Sequence, residues 1–175
     1  GHTDNYYYQM VNNIRRFKGV RTPPKVSGTA DIRIDGEFTD WADVRPEYLD
    51  DAGDTMHRDH PGYEKVGRYT NTSGRNDLIV LKAAFDRTHV FFYARTAAPL
   101  TPQTDAHWML LFIDADANPK TGWEGYDLFV NRCRSGPGSC SLERAVDGRW
   151  EAADSVPFRA SGAELEIAIP RSTLP

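Results

Sequence analysis

A chain of 175 residues is long enough for one domain with a core of its own. Its charged fraction of 26%, net charge of -4 and pI of about 5.7 show no basic excess, which argues against nucleic acid as a partner. No apolar stretch approaches the ~20 residues that a membrane-spanning helix needs, so no membrane span is expected.

The first elements of the chain are a predicted helix and an extended linker. Thr3 or Asp4 can cap the helix, Gly19 ends it, and the stiff segment VRTPPK follows. Its apolar residues at helical spacing are Tyr7, Met10, Val11, Ile14 and Phe17. Because the chain begins at Gly1 rather than Met, we expect residues 1–28 to be a helix and linker from a preceding domain. The pattern leaves open whether the helix docks on that domain or on this one.

From residue 29 onward the pattern is that of about nine short strands separated by turn residues. In chain order the strand-like segments are DIRID, LIVLKAAFD, HVFFYARTA, HWMLLFIDA, GYDLFVNR, CSLERAV, RWEAA, VPFRAS and AELEIAIP, with a further fragment, WADV, after DIRID. The absence of helix–strand alternation predicts an all-β fold over residues 29–175, an antiparallel β-sandwich of immunoglobulin-like or jelly-roll type with a short N-terminal helix. Because the last segment ends abruptly, we expect a closing strand beyond residue 175.

Several large apolar residues are assigned to the core. HWMLLFID alternates apolar residues on both faces, which predicts a central strand covered on both sides. The assigned core residues are Phe85, Phe91, Tyr93, Trp108, Leu128 and Val130.

Cys133 and Cys140 are the two cysteines, and Gly-Pro-Gly lies between them. Such a turn can bring the two Cα atoms within disulfide range, which favours a bridge and an oxidising compartment. The alternative is two free thiols flanking a turn.

The segment DADANPKTGWEGYD, residues 114–127, is longer than a plain hairpin loop of two to five residues. Its oxygen-bearing side chains belong to Asp114, Asp116, Asn118 and Asp127. Ca²⁺ takes six to eight oxygen ligands, and clustered carboxylates repel unless a cation neutralises them, so a calcium site is predicted here. Pro119 and Gly125 occupy positions where an EF-hand needs Gly and Glu, so the loop is not an EF-hand. The alternative is a turn in which Asp and Asn hydrogen-bond to their own backbone.

Trp123 lies in the same loop, with Glu124 and Tyr126 close behind it. An exposed indole is a platform for the apolar face of a sugar, and a nearby carboxylate can bind hydroxyl groups. These three residues are therefore the candidate carbohydrate-binding residues. The alternative is that Trp123 is buried and caps the end of the sandwich, as Trp is usually largely buried.

The polar segment at residues 50–63 concentrates acids and histidines, among them His57 and His60. Two histidines and several acids suggest a transition-metal site, but no zinc-ligand spacing is present. A solvated loop, with its acids paired to Arg58 and Arg68, is the alternative. The sequence also has no nucleophile elbow, P-loop or dinucleotide-binding glycine pattern, so we expect no catalysis by this chain itself.

Four segments taken together resemble a known family. IDGEFTDWADV, VFFYARTA, LLFIDADANPKTGWEGYDLFVNR and AELEIAIPRSTL are similar, in order, to the successive segments of family-9 carbohydrate-binding modules and related DOMON-like domains. The resemblance covers roughly residues 30–175. It implies a β-sandwich that binds a polysaccharide or oligosaccharide and carries structural calcium, attached to a catalytic domain of a bacterial glycoside hydrolase. It also implies that the protein is secreted, periplasmic or at the cell surface.

The resemblance also assigns residues. Asp114, Asp116 and Asn118 match the acidic centre of the family, and Trp123 and Tyr126 are candidates for its pair of aromatic rings that clamp chain ends.

Trp41 matches an early Trp of the family that we expect to be a packing residue. Two alternatives to sugar binding remain. One is an interaction module that packs on a catalytic domain through the N-terminal helix. The other is a haem-binding relative using Met56 or Met109 with a histidine.

Overall fold

The computed structural model describes residues 4–18, 25–55, 58–62, 67–105 and 107–174. In this part of the chain there are one α-helix, ten β-strands and two short 3-10 helices. The helix is α1 (Asp4–Phe17). The strands are β1 (Tyr48–Leu49), β2 (Arg58–Pro61), β3 (Arg68–Asn71), β4 (Leu78–Phe85), β5 (His89–Thr96), β6 (Leu111–Ile113), β7 (Leu128–Gly136), β8 (Ser139–Val146), β9 (Arg149–Ser161) and β10 (Glu164–Pro170). The 3-10 helices are Phe38–Trp41 and Arg171–Thr173.

Eight of the strands form one curled antiparallel sheet in the order β1-β4-β5-β10-β9-β8-β7-β6, and β2 pairs with β3 in a separate hairpin. Consecutive strands are neighbours except where β10 inserts between β5 and β9, and where β4 pairs with β1. This arrangement confirms the predicted all-β, antiparallel, sandwich-like fold with a short N-terminal helix.

The hairpin of β4 and β5 is the part of the sheet that local chemistry specifies most directly. The Asp86 carboxylate accepts the backbone N–H groups of Thr88 and His89, both at 2.6 Å, and so closes the turn. These N–H donors also hold the pKa of Asp86 below its ordinary value. Apolar residues alternate along both strands, and the predicted hairpin is confirmed.

Alternation along the strands divides the buried residues into two clusters, one on each face of the sheet. The first cluster lies on the inner face of the curled sheet and contains Ala94, Trp108, Leu128, Val130, Cys140, Leu142, Val156, Phe158, Leu165, Ile167 and Ile169. The second cluster lies between β4, β5 and β10 and the segment of residues 30–44, and it contains Ile32, Trp41, Val44, Val80, Ala84, Phe91, Tyr93 and Ala168. Strand β10 is therefore covered on both faces.

Glu166 is the buried anchor between β10 and the 30–44 segment. Its Oε2 accepts the indole N–H of Trp41 at 3.0 Å, and its Oε1 accepts the backbone N–H of Gly36 at 2.8 Å. Nearby, the ammonium group of Lys82 donates to the Trp41 carbonyl at 2.7 Å and forms a salt bridge with Glu47 at 2.9 Å. The expected packing role of Trp41 is confirmed, with an added hydrogen bond.

Some predicted strands take a different form. DIRID forms no strand, and an isolated parallel bridge joins Thr29, just before it, to Phe85. The predicted WADV strand is a 3-10 helix at its start. RWEAA and VPFRAS form one long strand, β9. The predicted central strand at residues 107–114 is wrong, because only Leu111–Ile113 pairs, and it does so at the edge of the sheet.

The assigned core residues are buried with one exception. Trp108, Phe91, Tyr93, Leu128 and Val130 are buried, which confirms their assignment. Phe85, the last residue of β4 before the turn, is 39% exposed, so its assignment to the core is wrong.

The predicted helix is present as α1, and its apolar side chains are exposed. These side chains are Tyr7, Tyr8, Met10, Ile14 and Phe17. Thr3, Gly19 and residues 20–24, to which we assigned the cap, the helix end and the linker, lie outside the described residues. None of the described helices is both long and apolar enough to cross a membrane.

The predicted disulfide is wrong, and both cysteines are free. The Gly-Pro-Gly turn does form, but the ladder between β7 and β8 places Arg134, not Cys133, opposite Cys140. Cys140 is buried in the inner cluster, whereas Cys133 is exposed. Register irregularities on both sides of Arg134 separate the two positions, so adjacency to a turn does not bring the thiols together.

The two thiols should differ sharply in reactivity. Burial raises the pKa of Cys140 to about 12, so little thiolate forms at neutral pH. We expect a colorimetric thiol reagent to titrate one thiol per chain in the native protein and two in denaturant. The variant Cys133→Ser should show none until unfolded, and a native protein with no titratable thiol would contradict the register.

Glu166 should make the stability depend on pH. Burial raises its pKa above the ordinary 4.5, and the N–H donors of Trp41 and Gly36 offset this only in part. A raised folded-state pKa means that its stabilising contribution is full below about pH 4.5 and is lost as the pH rises through the folded-state value. As the pH rises through the folded-state pKa of Glu166, we expect the free energy of unfolding of the wild type to fall relative to that of Glu166→Gln. Urea denaturation at a series of pH values measures this difference. A difference that does not change with pH would contradict this assignment.

Candidate functional site

The loop between β6 and β7 contains a miniature hairpin that presents two aromatic rings. Trp123 and Tyr126 exchange both backbone hydrogen bonds, at 2.8 and 2.9 Å. Glu124 and Gly125 form the two-residue turn between them, with positive φ angles of 53° and 91°. Two positive φ angles in succession are typical of a type I′ turn. Residues paired across a ladder point to the same side, so both rings project from one side of the loop.

Gly122 allows this hairpin to close. A Cβ atom at this position would lie 2.1 Å from the Tyr126 carbonyl oxygen, and the residue has φ +67°. Any side chain here would push Trp123 and Tyr126 out of register.

An aromatic face, defined here as Phe112, Trp123, Tyr126, Phe129 and Trp150, covers the outer side of the sheet at its β6 edge. Phe112 and Phe129 are cross-strand partners and stack at 4.3 Å between ring centroids. Phe112 also contacts Trp123 at 6.0 Å, Tyr126 at 5.6 Å and Trp150 at 6.0 Å. Since Leu128 and Val130 point into the inner cluster, Phe129 between them points outward.

The outermost rings of this face remain open to solvent. Trp123 is 39% exposed and Tyr126 is 40% exposed. The expectation that Trp123 is buried at the end of the sandwich is therefore not met. The two rings rest on Phe112, which is half-buried, so their orientation is held from below.

An ion pair borders the aromatic face. Arg132 lies with its guanidinium carbon 4.7 Å from the centroid of Phe129 and pairs with Glu143 at 3.1 Å. Asn131 has a positive φ of 67° in an irregular part of β7, and its side chain donates inward to the carbonyl of Met109 at 3.0 Å. The irregularity interrupts the in-and-out alternation of side chains along β7. Asn131 therefore points inward, and Arg132 lies on the outer side with Phe129.

The first half of the loop brings three carboxylates together. Asp114, Asp116 and Asp127, here called the acid triad, each offer an oxygen atom, and these atoms lie within 4.8 Å of one another. Two oxygens bound to one Ca²⁺ at 2.3–2.6 Å are at most about 5 Å apart, so the spacing fits a shared cation. In the described part of the chain, no other group of acids, histidines or cysteines has this arrangement.

The same loop also contains the turns that were the alternative to a metal site. Asp114 accepts the Ala117 N–H at 2.7 Å, Asp116 accepts the Asn118 N–H at 2.8 Å, and Asn118 accepts the Lys120 N–H at 3.1 Å. These bonds leave further lone pairs on each carboxylate. Asn118 thus has a defined place in a turn, and the three aspartates of the predicted ligand set converge.

Asp127 connects the two halves of the loop to the sheet. Its Oδ2 accepts the Ala115 N–H at 2.8 Å, and its backbone joins the ladder between Ile113 and Ala145. The acid triad and the Trp123–Tyr126 hairpin are therefore built on one segment with a common base.

Glu124, the third candidate carbohydrate-binding residue, is exposed at the turn between the two rings. Sequence reasoning missed Phe112, Phe129 and Trp150 as members of the site. Phe112 lies in a segment predicted to be a central strand because both of its faces are apolar, and Trp150 is distant in sequence, with only its residue type as a signal.

Within the segment at residues 50–63, Arg58–Pro61 form β2, which pairs with β3 in an exposed hairpin. Arg68 pairs with Asp59, and His60 stacks on Tyr69 at 5.9 Å between ring centroids. This pairing agrees with the alternative of a solvated loop. Met56 and His57, named above for haem or metal binding, lie outside the described residues, and Met109 packs against the inner cluster.

Comparison of the chain with protein-family models, with curated proteins and with solved structures finds no match.

Removal of divalent cations tests the acid triad. Because three carboxylates in close approach repel, we expect Ca²⁺ to raise the melting temperature and a chelator to lower it. Asp127→Asn should abolish the response, whereas the matched control Asp43→Asn, at an exposed turn elsewhere, should retain it. An identical melting curve with and without Ca²⁺ would contradict a cation site.

Proposed function

We propose that this chain is a non-catalytic carbohydrate-binding module of a secreted polysaccharide-degrading enzyme. The observation that carries the proposal is the aromatic face with its two exposed rings, Trp123 and Tyr126, held at a fixed spacing by a hydrogen-bonded turn. Aromatic rings are large, rigid contact surfaces that lose little conformational entropy on binding.

The exposed apolar surface of these rings favours a ligand that covers it. Soluble proteins rarely present contiguous apolar patches larger than a few hundred Å², and such patches with polar rims mark interaction sites. Here the rim is supplied by Glu124, the Arg132–Glu143 pair and the acid triad. A ligand that has both apolar C–H faces and hydroxyl groups matches this mixture, and sugars are such ligands.

Structural calcium is part of the proposal. A cation at the acid triad would offset the repulsion among its three carboxylates and hold the base of the hairpin that carries Trp123 and Tyr126. The ion then acts on sugar binding through loop order, without a catalytic role.

The attached partner and the location follow from the resemblance to family-9 carbohydrate-binding modules. On that basis we propose an adjacent glycoside hydrolase domain in the same bacterial precursor, and a secreted, periplasmic or cell-surface location. Because Cys133 and Cys140 are free, no disulfide supports the oxidising compartment, and the location depends on the resemblance alone.

A second candidate function is an interaction module without sugar binding of its own. The exposed apolar face of α1 favours it, since Phe17 is 94% exposed and Tyr7 and Ile14 are also open to solvent. A neighbouring domain that covers this helix would account for that exposure.

A glycan panel separates the two functions. We expect affinity electrophoresis with soluble polysaccharides to retard the wild type in at least one gel, and Trp123→Ala to lose at least about tenfold in affinity. The matched control is Tyr69→Ala, which removes an exposed aromatic ring in β3, outside the aromatic face. This variant should bind as the wild type does. A folded wild type that migrates freely through every polysaccharide would favour the interaction module.

A further inference from the structure

We infer that the ligand is a neutral glycan that lies along the aromatic face, with Trp150 as a binding residue, and that no sugar end is inserted between the rings of this face that contact one another. This inference rests on the proposed carbohydrate-binding function and specifies how and what the site binds.

The spacing of the rings leaves no room for a sugar between those that touch. A ring held between two aromatic planes needs them about 7–8 Å apart, twice the ~3.5–4.0 Å carbon contact distance. Trp123 and Trp150 are 5.8 Å apart between centroids, at an interplanar angle of 48°. The ring centroids of Phe112 and Trp123 are 6.0 Å apart, at an interplanar angle of 28°. These pairs are already in contact, so their outward surfaces are the ones a ligand can cover.

Trp150 extends the platform from the loop onto the sheet. It lies near the start of β9 and contacts Trp123 on one side and Phe129, at 5.4 Å between centroids, on the other. It is half-buried, which fixes the ring while leaving part of it open. The binding surface is therefore continuous from Tyr126 through Phe112 and Trp123 to Trp150, a shape suited to several consecutive sugar rings.

The charges around the face select against acidic sugars. Among the described residues, Arg132 is the cation in contact with these rings, and Glu143 already neutralises it at 3.1 Å. Glu124 lies between the exposed rings, and the acid triad occupies the same loop. The loop of residues 114–127 contains four carboxylates, with Glu124 included, and one cation, Lys120. With one divalent cation bound it therefore keeps a net charge of -1, so a uronic acid would meet repulsion.

The experiment uses isothermal titration of the full chain in Ca²⁺-containing buffer with four probes. Three are the neutral β-1,4-linked hexasaccharides cellohexaose, xylohexaose and mannohexaose, each also as its borohydride-reduced alditol. The fourth is hexagalacturonate. Trp150→Ala and Trp150→Phe are compared with Tyr69→Ala, and circular dichroism and melting temperatures confirm that each variant is folded.

We expect at least one neutral hexasaccharide to bind, with its alditol within about twofold of the parent, and hexagalacturonate to bind at least about tenfold more weakly. Trp150→Ala should lose about tenfold or more, Trp150→Phe should retain most of the affinity, and Tyr69→Ala should match the wild type. Binding that disappears on end reduction, survives Trp150→Ala, or prefers hexagalacturonate would overturn the inference and leave the carbohydrate-binding function standing. Failure of every probe, together with free migration through all polysaccharide gels, would overturn both.

Discussion

A buried carboxylate in the middle of the sheet is the constraint on which the arrangement of this domain depends. Glu166 lies in β10 among core residues, and a charge in that position is tolerated only with hydrogen-bond donors. The donors come from Trp41 and Gly36, in a segment that forms no strand of its own. That segment is thereby held over β4, β5 and β10, and this half of the sheet is closed on both faces.

The other half of the sheet is where large rings remain exposed. The 30–44 segment packs against β4, β5 and β10, whereas the outer side of β6, β7 and the start of β9 carries the aromatic face. A rigid ladder beneath and an ion pair at the border hold these rings in place. The acid triad shares its loop with the two most exposed rings, so cation binding and ring orientation are physically linked through Asp127.

Local chemistry predicts much of the fold, because alternation and turn residues act over short distances. Asp86 and its neighbours specify the β4–β5 hairpin, and the apolar residues of β5, β7 and β10 identify the core. The predictions fail where contacts with residues distant in sequence decide how a side chain is placed. Phe112 lies in a segment that is apolar on both faces, but its outer face is covered by other aromatic rings at a sheet edge. The cysteines flank a correctly predicted turn, yet ladder irregularities around Arg134 keep them apart.

The sequence by itself determined the all-β class, the helix at residues 4–17, the oxygen-rich loop and the proximity of Trp123 to Tyr126. Each of these depends on residues within a few positions of one another. Only the tertiary structure decided that Asp127 converges with Asp114 and Asp116, that Arg132 pairs with Glu143, and that Trp150 completes the aromatic face. The physical reason is register: contacts between strands depend on bulges and positive-φ residues such as Asn131, and one residue of slip turns a side chain to the opposite face.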